Sequence, residues 1–571
     1  MKRKNGFTKI AVLLLSAIMI TSFAACNSAP MTPEKGDLDG IGGSVIQGGV
    51  NVSPSKPSDE NVQAPTDSPF YGLEGDVNME IVPPDGAEPE DKPEEDPDNP
   101  SDPSVDTSEG SDMYPETDTP VDVPAPITLL KGAFTETKGD MRFSTFSADV
   151  DTASYTYFRK LASSSWYKFN DLRNSGADFR IEEFINYFRY NVEQPREGEL
   201  FGVETEVVPC PWNEGNLLFR VTLQAENAKP SAGNNLVFLI DVSGSMSGSD
   251  KLPLLKTAFS YLASNLGAND TVSIVTYSGR EAVVLEGCNG TNTERIMNAI
   301  NSLKASGSTN GQAGLEMAYR IAEAQFIEGG NNRIIMASDG DLNVGISSAT
   351  ELRQFIEQKR DQGVYLSVLG FGTGNYRDAN MEALADNGNG VYYYIDGESE
   401  AEKVFGTDLA GTMYAVANDV KLQVEFNPNC VQSYRLIGYD NRILDKEDFE
   451  NDLKDAGEVG AGHQVTVVYE IVPVQTPAAN KLATLRVRYK NPGQPISKLN
   501  EYEIANELSV PSEDMRFITA VIETAALLRN REYNGDITLE SIYGELSGLE
   551  LEDGYKAEFR ELIKKLANVD E

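Results

Sequence analysis

Residues 236–245 read Leu236-Val237-Phe238-Leu239-Ile240-Asp241-Val242-Ser243-Gly244-Ser245, an apolar run followed at once by side-chain oxygens at alternate positions. An unbroken apolar run of this length predicts a strand buried on both faces, as in a parallel sheet. The oxygen-rich turn then falls at the carboxyl end of that strand, where open α/β sheets bind their ligands. Carboxylate and hydroxyl oxygens are hard donors that suit magnesium, manganese or calcium better than zinc or copper. With a single histidine and four cysteines in 571 residues, the chain offers little material for a nitrogen or sulfur site.

Outward from this stretch, apolar runs and amphipathic segments alternate in the βα rhythm of a doubly wound fold. The pattern predicts strands at 236–240, 271–277, 282–286, 333–338, 364–370 and 391–395. Helices are expected near 251–266, 293–303, 311–326, 349–361 and 398–412. A short turn around Gly279-Arg280 separates the second apolar run from the third, which predicts a hairpin and therefore one antiparallel edge strand. Two further stretches carry oxygens: Gly307-Ser308-Thr309-Asn310-Gly311 before a helix, and Met336-Ala337-Ser338-Asp339-Gly340 after a buried run.

An Asp-x-Ser-x-Ser turn, a later loop threonine and an aspartate ending a later strand, in that order, resemble the metal-ion-dependent adhesion site (MIDAS) of the von Willebrand factor type A (VWA) family. The resemblance implies Ser243, Ser245 and Thr309 as direct ligands of a divalent cation, with Asp241 and Asp339 holding coordinated waters. Mg2+ is the expected ion, with Mn2+ and Ca2+ as alternatives. It implies as partner a protein whose exposed Asp or Glu completes the metal shell, and a function without catalysis. Ser338 stands where the family has threonine, which keeps the hydroxyl.

A formal net charge of −41 argues against nucleic acid, whose phosphates would be repelled. At the amino terminus Lys2, Arg3, Lys4 and Lys9 precede an apolar run over 10–20 and the tetrapeptide Phe23-Ala24-Ala25-Cys26, the layout of a secretory signal. The terminal Ala-Ala-Cys resembles the lipobox of bacterial lipoproteins, with Phe23 in place of the usual leucine. It implies a lipidated Cys26, a membrane anchor and a protein facing outside the cytoplasm. The alternative is a plain signal peptide and release. Cys210, Cys288 and Cys430 are then an odd number at distant positions, which is no disulfide framework. A Cys210–Cys430 bridge and three buried thiols both remain open.

The expected organisation is a signal peptide at 1–26, an acidic proline-rich tether at 27–127 and an amino-terminal helical segment at 128–200. A β-sandwich built from 201–230 and 415–505 follows, with the VWA domain of 231–414 inserted in it and a helical tail at 506–571. The tether is too polar and too acidic to offset its ordering entropy. About 100 residues of flexible coil reach roughly 50–60 Å. The sandwich is inferred from period-two alternation in 203–208 and 217–223 before the central domain, and in 420–426, 464–471 and 482–489 after it. Asp149 and Asp151, ahead of a helix beginning near Ala153, are read as turn and capping residues rather than metal ligands. The segment around them resembles the leader ahead of the VWA domain in a group of bacterial lipoproteins.

Two other classes compete. Gly244-Ser245-Met246-Ser247-Gly248 resembles the G-x-S-x-G elbow of a serine hydrolase, with Met246 at the central position and Ser247 one place later, and Ser247, Asp339 and His463 occur in the matching order. That reading leaves Asp241, Ser243 and Thr309 without a role, and His463 reads as a surface residue at a strand entry. A structural envelope protein with a vestigial metal site is the third class.

Overall fold

The computed structural model describes residues 134–227, 232–308, 311–340, 349–372, 378–529 and 537–568. The signal peptide, Cys26 and the tether lie outside the described residues, as does Thr309.

The central strand Asn234–Asp241 is buried at every position. It is flanked in parallel by Thr271–Tyr277 on one side and Asn331–Ser338 on the other. The sheet runs in the order 392–395, 364–371, 331–338, 234–241, 271–277, 281–289, and only the last pairing is antiparallel. Alternate residues of the central strand feed opposite cores. Leu236, Phe238 and Ile240 join Leu255, Phe259 and Leu262 of the helix Leu252–Asn265, with the Phe238 and Phe259 rings 4.5 Å apart. Val237 and Leu239 join Leu315, Ala318 and Tyr319 of the helix Gln312–Ala324. Both faces being covered is what makes the sequence run unbroken rather than alternating.

Three local details depart from expectation. The edge strand runs from Glu281 to Asn289, longer than 282–286, with register shifts against its neighbour. The expected helix at 398–412 is a helix at Glu398–Glu402, a π-turn at Lys403–Thr407 and a second short helix at Leu409–Met413. There the Thr412 hydroxyl donates to the carbonyls of Val404 and Asp408, competing with the regular backbone pattern. The strand that follows starts at Ala415 rather than near 420.

Around this α/β domain lies an antiparallel sandwich. Leu217–Ala225, before the domain, pairs with Gln464–Pro473, after it, in register from Gln224↔Gln464 to Leu217↔Ile471. The first sheet runs 135–136, 431–437, 464–473, 217–225, 201–209; the second runs 459–460, 415–426, 481–490, 497–505. The segment taken as helical at 128–200 also supplies strands: Thr135–Glu136 joins the first sheet and Phe143–Ser147 pairs with Ala415–Phe426 in the second. The outer face of the first sheet meets a separate helical core. Leu218 and Val468 pack there with the helices Ala153–Ser163 and Ile181–Asn186 and with the tail helices Glu513–Leu528, Leu539–Ser547 and Gly554–Ala567. The Phe188 and Phe517 rings meet at 4.8 Å.

The pair Asp149 and Asp151 does not cap the helix it precedes. Asp151 accepts from the backbone N–H of Tyr392, in the α/β sheet, at 2.9 Å, and Arg442 bridges both carboxylates. The helix start is satisfied by Glu183, which accepts from the Ser154 N–H at 2.7 Å. All three described cysteines are buried free thiols, and burial pushes the Cys210 thiol up to about 12.

Candidate metal centre

Asp241 closes the central strand, and its Oδ1 accepts from the Ser243 N–H at 2.8 Å. This aspartate turn folds the next residues back and brings Ser243 Oγ and Ser245 Oγ to 2.9 Å from each other. The loop leading to Thr309 is tied to the same turn, since Gly244 N–H donates to Gly307 O at 3.0 Å and Ser306 N–H donates to Val242 O at 2.7 Å. Gly307 needs its freedom from a side chain here, at φ +84°.

Asp339 follows the neighbouring parallel strand and is 2 % exposed. Its Oδ2 accepts from Lys251 Nζ at 2.7 Å, and the same ammonium donates to Ser245 O at 2.9 Å. One ammonium therefore joins the strand-end aspartate to the serine turn. Its stem crosses Gly372, where a Cβ would meet Lys251 Cε at 2.3 Å. Ser338 is buried, and its Oγ accepts from the Gly340 N–H at 3.2 Å. Tyr277, the register partner of Asp241 on the adjacent strand, stays protonated, because burial and the nearby Asp241 charge raise its phenol well above its ordinary range.

Lys251 and Tyr277 are the site residues that sequence reasoning missed. Tyr277 could have been found by aligning the ends of the two predicted strands. Lys251 could not, because only the fold brings the start of a helix to Asp339.

The donor set suits a hard cation. Two serine hydroxyls lie 2.9 Å apart beside a turn held by the buried Asp241, and two neighbouring oxygens, Asp339 Oδ2 and the Ser245 carbonyl, already hold a cationic group. Among the described residues no three His, Cys, Asp or Glu side chains converge to hold a metal. A cation here therefore depends on the hydroxyls, which would leave it only partly neutralised.

The hydrolase constellation is not assembled. His463 is buried, not at the surface, because its ring lies against Gly411 of the short helix Leu409–Met413. Its Nδ1 has no hydrogen-bond partner, and a methyl on Gly411 would come within 2.3 Å of the ring. Burial first, then Arg189, pushes the imidazole down to about 3. Asp339 meanwhile is engaged by Lys251.

The von Willebrand factor type A domain model matches residues 235–407, the von Willebrand factor model matches 130–220, and the model described as uncharacterized protein YfbK, C-terminal, matches 411–481 and 475–569. Uncharacterized protein YfbK of Escherichia coli (strain K12) is 38% identical over 450 residues, covering 74% of this chain and 77% of that protein. The chain belongs to the YfbK family. Within it, the α/β domain is a VWA domain. Inter-alpha-trypsin inhibitor heavy chain H3 of Homo sapiens is 28% identical over 210 residues, which cover 35% of this chain and 23% of that one. The solved von Willebrand factor type A structure from Catenulispora acidiphila is 15% identical, with TM-score 0.37, over 66% of this chain and 97% of its own.

Proposed function

We propose that this YfbK-family chain is a non-catalytic binding protein whose VWA domain captures an acidic side chain of a partner protein through a divalent cation. The observation that carries the reading is the convergence of the Asp241–Ser245 turn and Asp339 at the topological switch point, around the Lys251 ammonium. Ser243, Ser245 and Thr309 would hold the ion, Mg2+ first, with Asp241 and Asp339 supporting it through water. When bound, the ion supplies an electrophilic position that an Asp or Glu of the partner can enter. Asp241 holds the turn in shape through Ser243 N–H, so the two hydroxyls are oriented before any ligand arrives. The sequence of the first 127 residues adds lipidation at Cys26 and a tether, which would present the domain outside the cytoplasm.

Isothermal titration of the full chain with Mg2+, Mn2+ and Ca2+ tests the site. One ion per chain is expected, with loss in Asp241→Ala and an unchanged circular dichroism spectrum. A folded chain that binds none of the three ions would reduce the site to a structural turn. Capture of an Asp-containing peptide in Mg2+ but not in EDTA tests the partner class. Labelling with a palmitate analogue, lost in Cys26→Ser, tests the anchor.

A further inference from the structure

A cavity of about 310 Å³ lies where the leader segment, the α/β domain and the loop before the short strand Val459–Gly460 meet. Its floor holds Asp149, Asp151 and Glu458, each less than a tenth exposed, together with Arg442. Its rim carries Arg353, Asp386, Lys454 and Asp455. Five carboxyl groups thus line it against three cationic ones.

The cations are already engaged. Arg442 reaches Asp149 at 3.3 Å, Asp151 at 3.2 Å and Asp386 at 3.0 Å. Arg353 donates to Asn387 Oδ1 at 2.9 Å, and Lys454 lies 3.7 Å from Asp448. Two acceptors are left over. Asp149 Oδ2 and Glu458 Oε1 are buried and have no hydrogen-bond partner. A buried carboxyl oxygen without a donor is costly unless something brings one. No three acidic side chains among the described residues converge closely enough for a bare metal ion. A group that carries several N–H donors can serve acceptors too far apart to share one ion.

We propose that this cavity binds a slender organic cation, an alkylammonium or alkylguanidinium of the kind that ends a lysine or arginine side chain, which donates to Asp149 Oδ2 and Glu458 Oε1. The site is separate from the metal centre and does not depend on it. Burial, then the charge of Asp455, raises the Glu458 carboxyl well above the usual range; Asp419 and Asp386 push the same way and Arg333 opposes them. Burial, then Asp149, raises Asp151, with Arg442 opposing. An entering cation favours the ionised forms, so binding releases protons.

Titration calorimetry of the full chain with agmatine, and separately with the peptide acetyl-Gly-Arg-Gly-amide, tests this. One agmatine per chain is expected, with an enthalpy that changes with the ionisation heat of the buffer. Glu458→Gln is expected to weaken binding at least tenfold with an unchanged circular dichroism spectrum, while Asp241→Ala leaves it unaltered. Binding of the peptide as well assigns the cation to a polypeptide side chain; binding of agmatine alone assigns it to a free amine. No agmatine or peptide bound by the wild-type chain, or equal affinity in Glu458→Gln and Asp149→Asn, overturns the proposal. So does displacement of agmatine by equimolar Mg2+ or Ca2+, which would make the cavity a metal site.

Discussion

Lys251 holds Asp339 through an ion pair of 2.7 Å in which the carboxylate is fully buried and the lysine side chain is 13% exposed. The lysine lies immediately before the helix that follows the Asp-x-Ser-x-Ser turn, and the aspartate lies one parallel strand away. Their pairing places a built-in cation against one of the two carboxylates expected to support the metal.

A divalent ion bound as proposed would have to compete with this ammonium. At an effective dielectric of about 20, a contact pair is worth ~4 kcal/mol before desolvation, and a net difference of about 1.4 kcal/mol is tenfold in affinity. Lys251→Met is expected to bind Mg2+ about tenfold more tightly by calorimetry. Without metal it loses about 3 kcal/mol in urea unfolding, because the buried carboxylate loses its ammonium. Unchanged Mg2+ affinity would show that the lysine and the ion do not share the site.

Gly372 sets where that lysine lies. It adopts φ +74°, and an added Cβ would overlap Lys251 Cε at 2.3 Å. Gly372→Ala is expected to cost roughly 1–2 kcal/mol from backbone strain and to move the ammonium off Asp339. Its Mg2+ affinity should shift in the same direction as that of Lys251→Met. A shift the other way would mean that Gly372 shapes the site through its backbone alone.

Much of the architecture is legible because burial writes itself into residue patterns. The central strand shows as an unbroken apolar run because both of its faces are covered, and the hairpin shows because only a short turn around Gly279-Arg280 separates two such runs. The strands on either side of the VWA domain alternate, and their pairing across the insertion follows from there being too few on each side to close a sandwich. Asp241, Ser243 and Ser245 are legible because they lie within five residues of one another. What stayed hidden rests on long-range contacts. Asp151 meets Tyr392, and Arg442 meets Asp149 and Asp151, across separations of more than 240 residues, so the pair looks like local capping. Gln464–Pro473 reads as half-exposed, yet Thr466 and Glu470 are buried, because neighbouring strands and the helical layer close over the face that the alternation assigns to water.

The leader is fastened to the end of the VWA domain through Arg159. This guanidinium, 4% exposed, donates to Asp396 at 2.7 Å and to Glu400 at 2.8 Å, and the Tyr187 hydroxyl donates to Glu400 at 2.9 Å. Glu400 sits in the short helix just before the π-turn. Arg159→Ala leaves two buried carboxylates without their counter-charge and is expected to cost about 3–5 kcal/mol. Hydrogen exchange should rise at 396–413 more than in the central sheet. Uniform loss of protection would mean that Arg159 supports the whole fold rather than this one junction.

His463, the single histidine of the chain, gives a clean reporter of the same junction. Its folded value is pushed down to about 3, burial being the larger cause and the charge of Arg189 the next, against an ordinary value near 6.5. Between these two values the unfolded chain binds a proton that the folded chain refuses, so the imidazole destabilises the fold progressively as pH falls from 6.5 toward 3. Above 6.5 it has no such effect. The slope approaches about 1.4 kcal/mol per pH unit from this group alone at the middle of the window. In His463→Gln that part of the acid sensitivity should vanish, so that the variant gains on the wild type at pH 5 relative to pH 8 in urea unfolding. The imidazole resonances of the folded wild type should stay in the neutral position down to pH 5; titration near 6.5 would place the ring in contact with water.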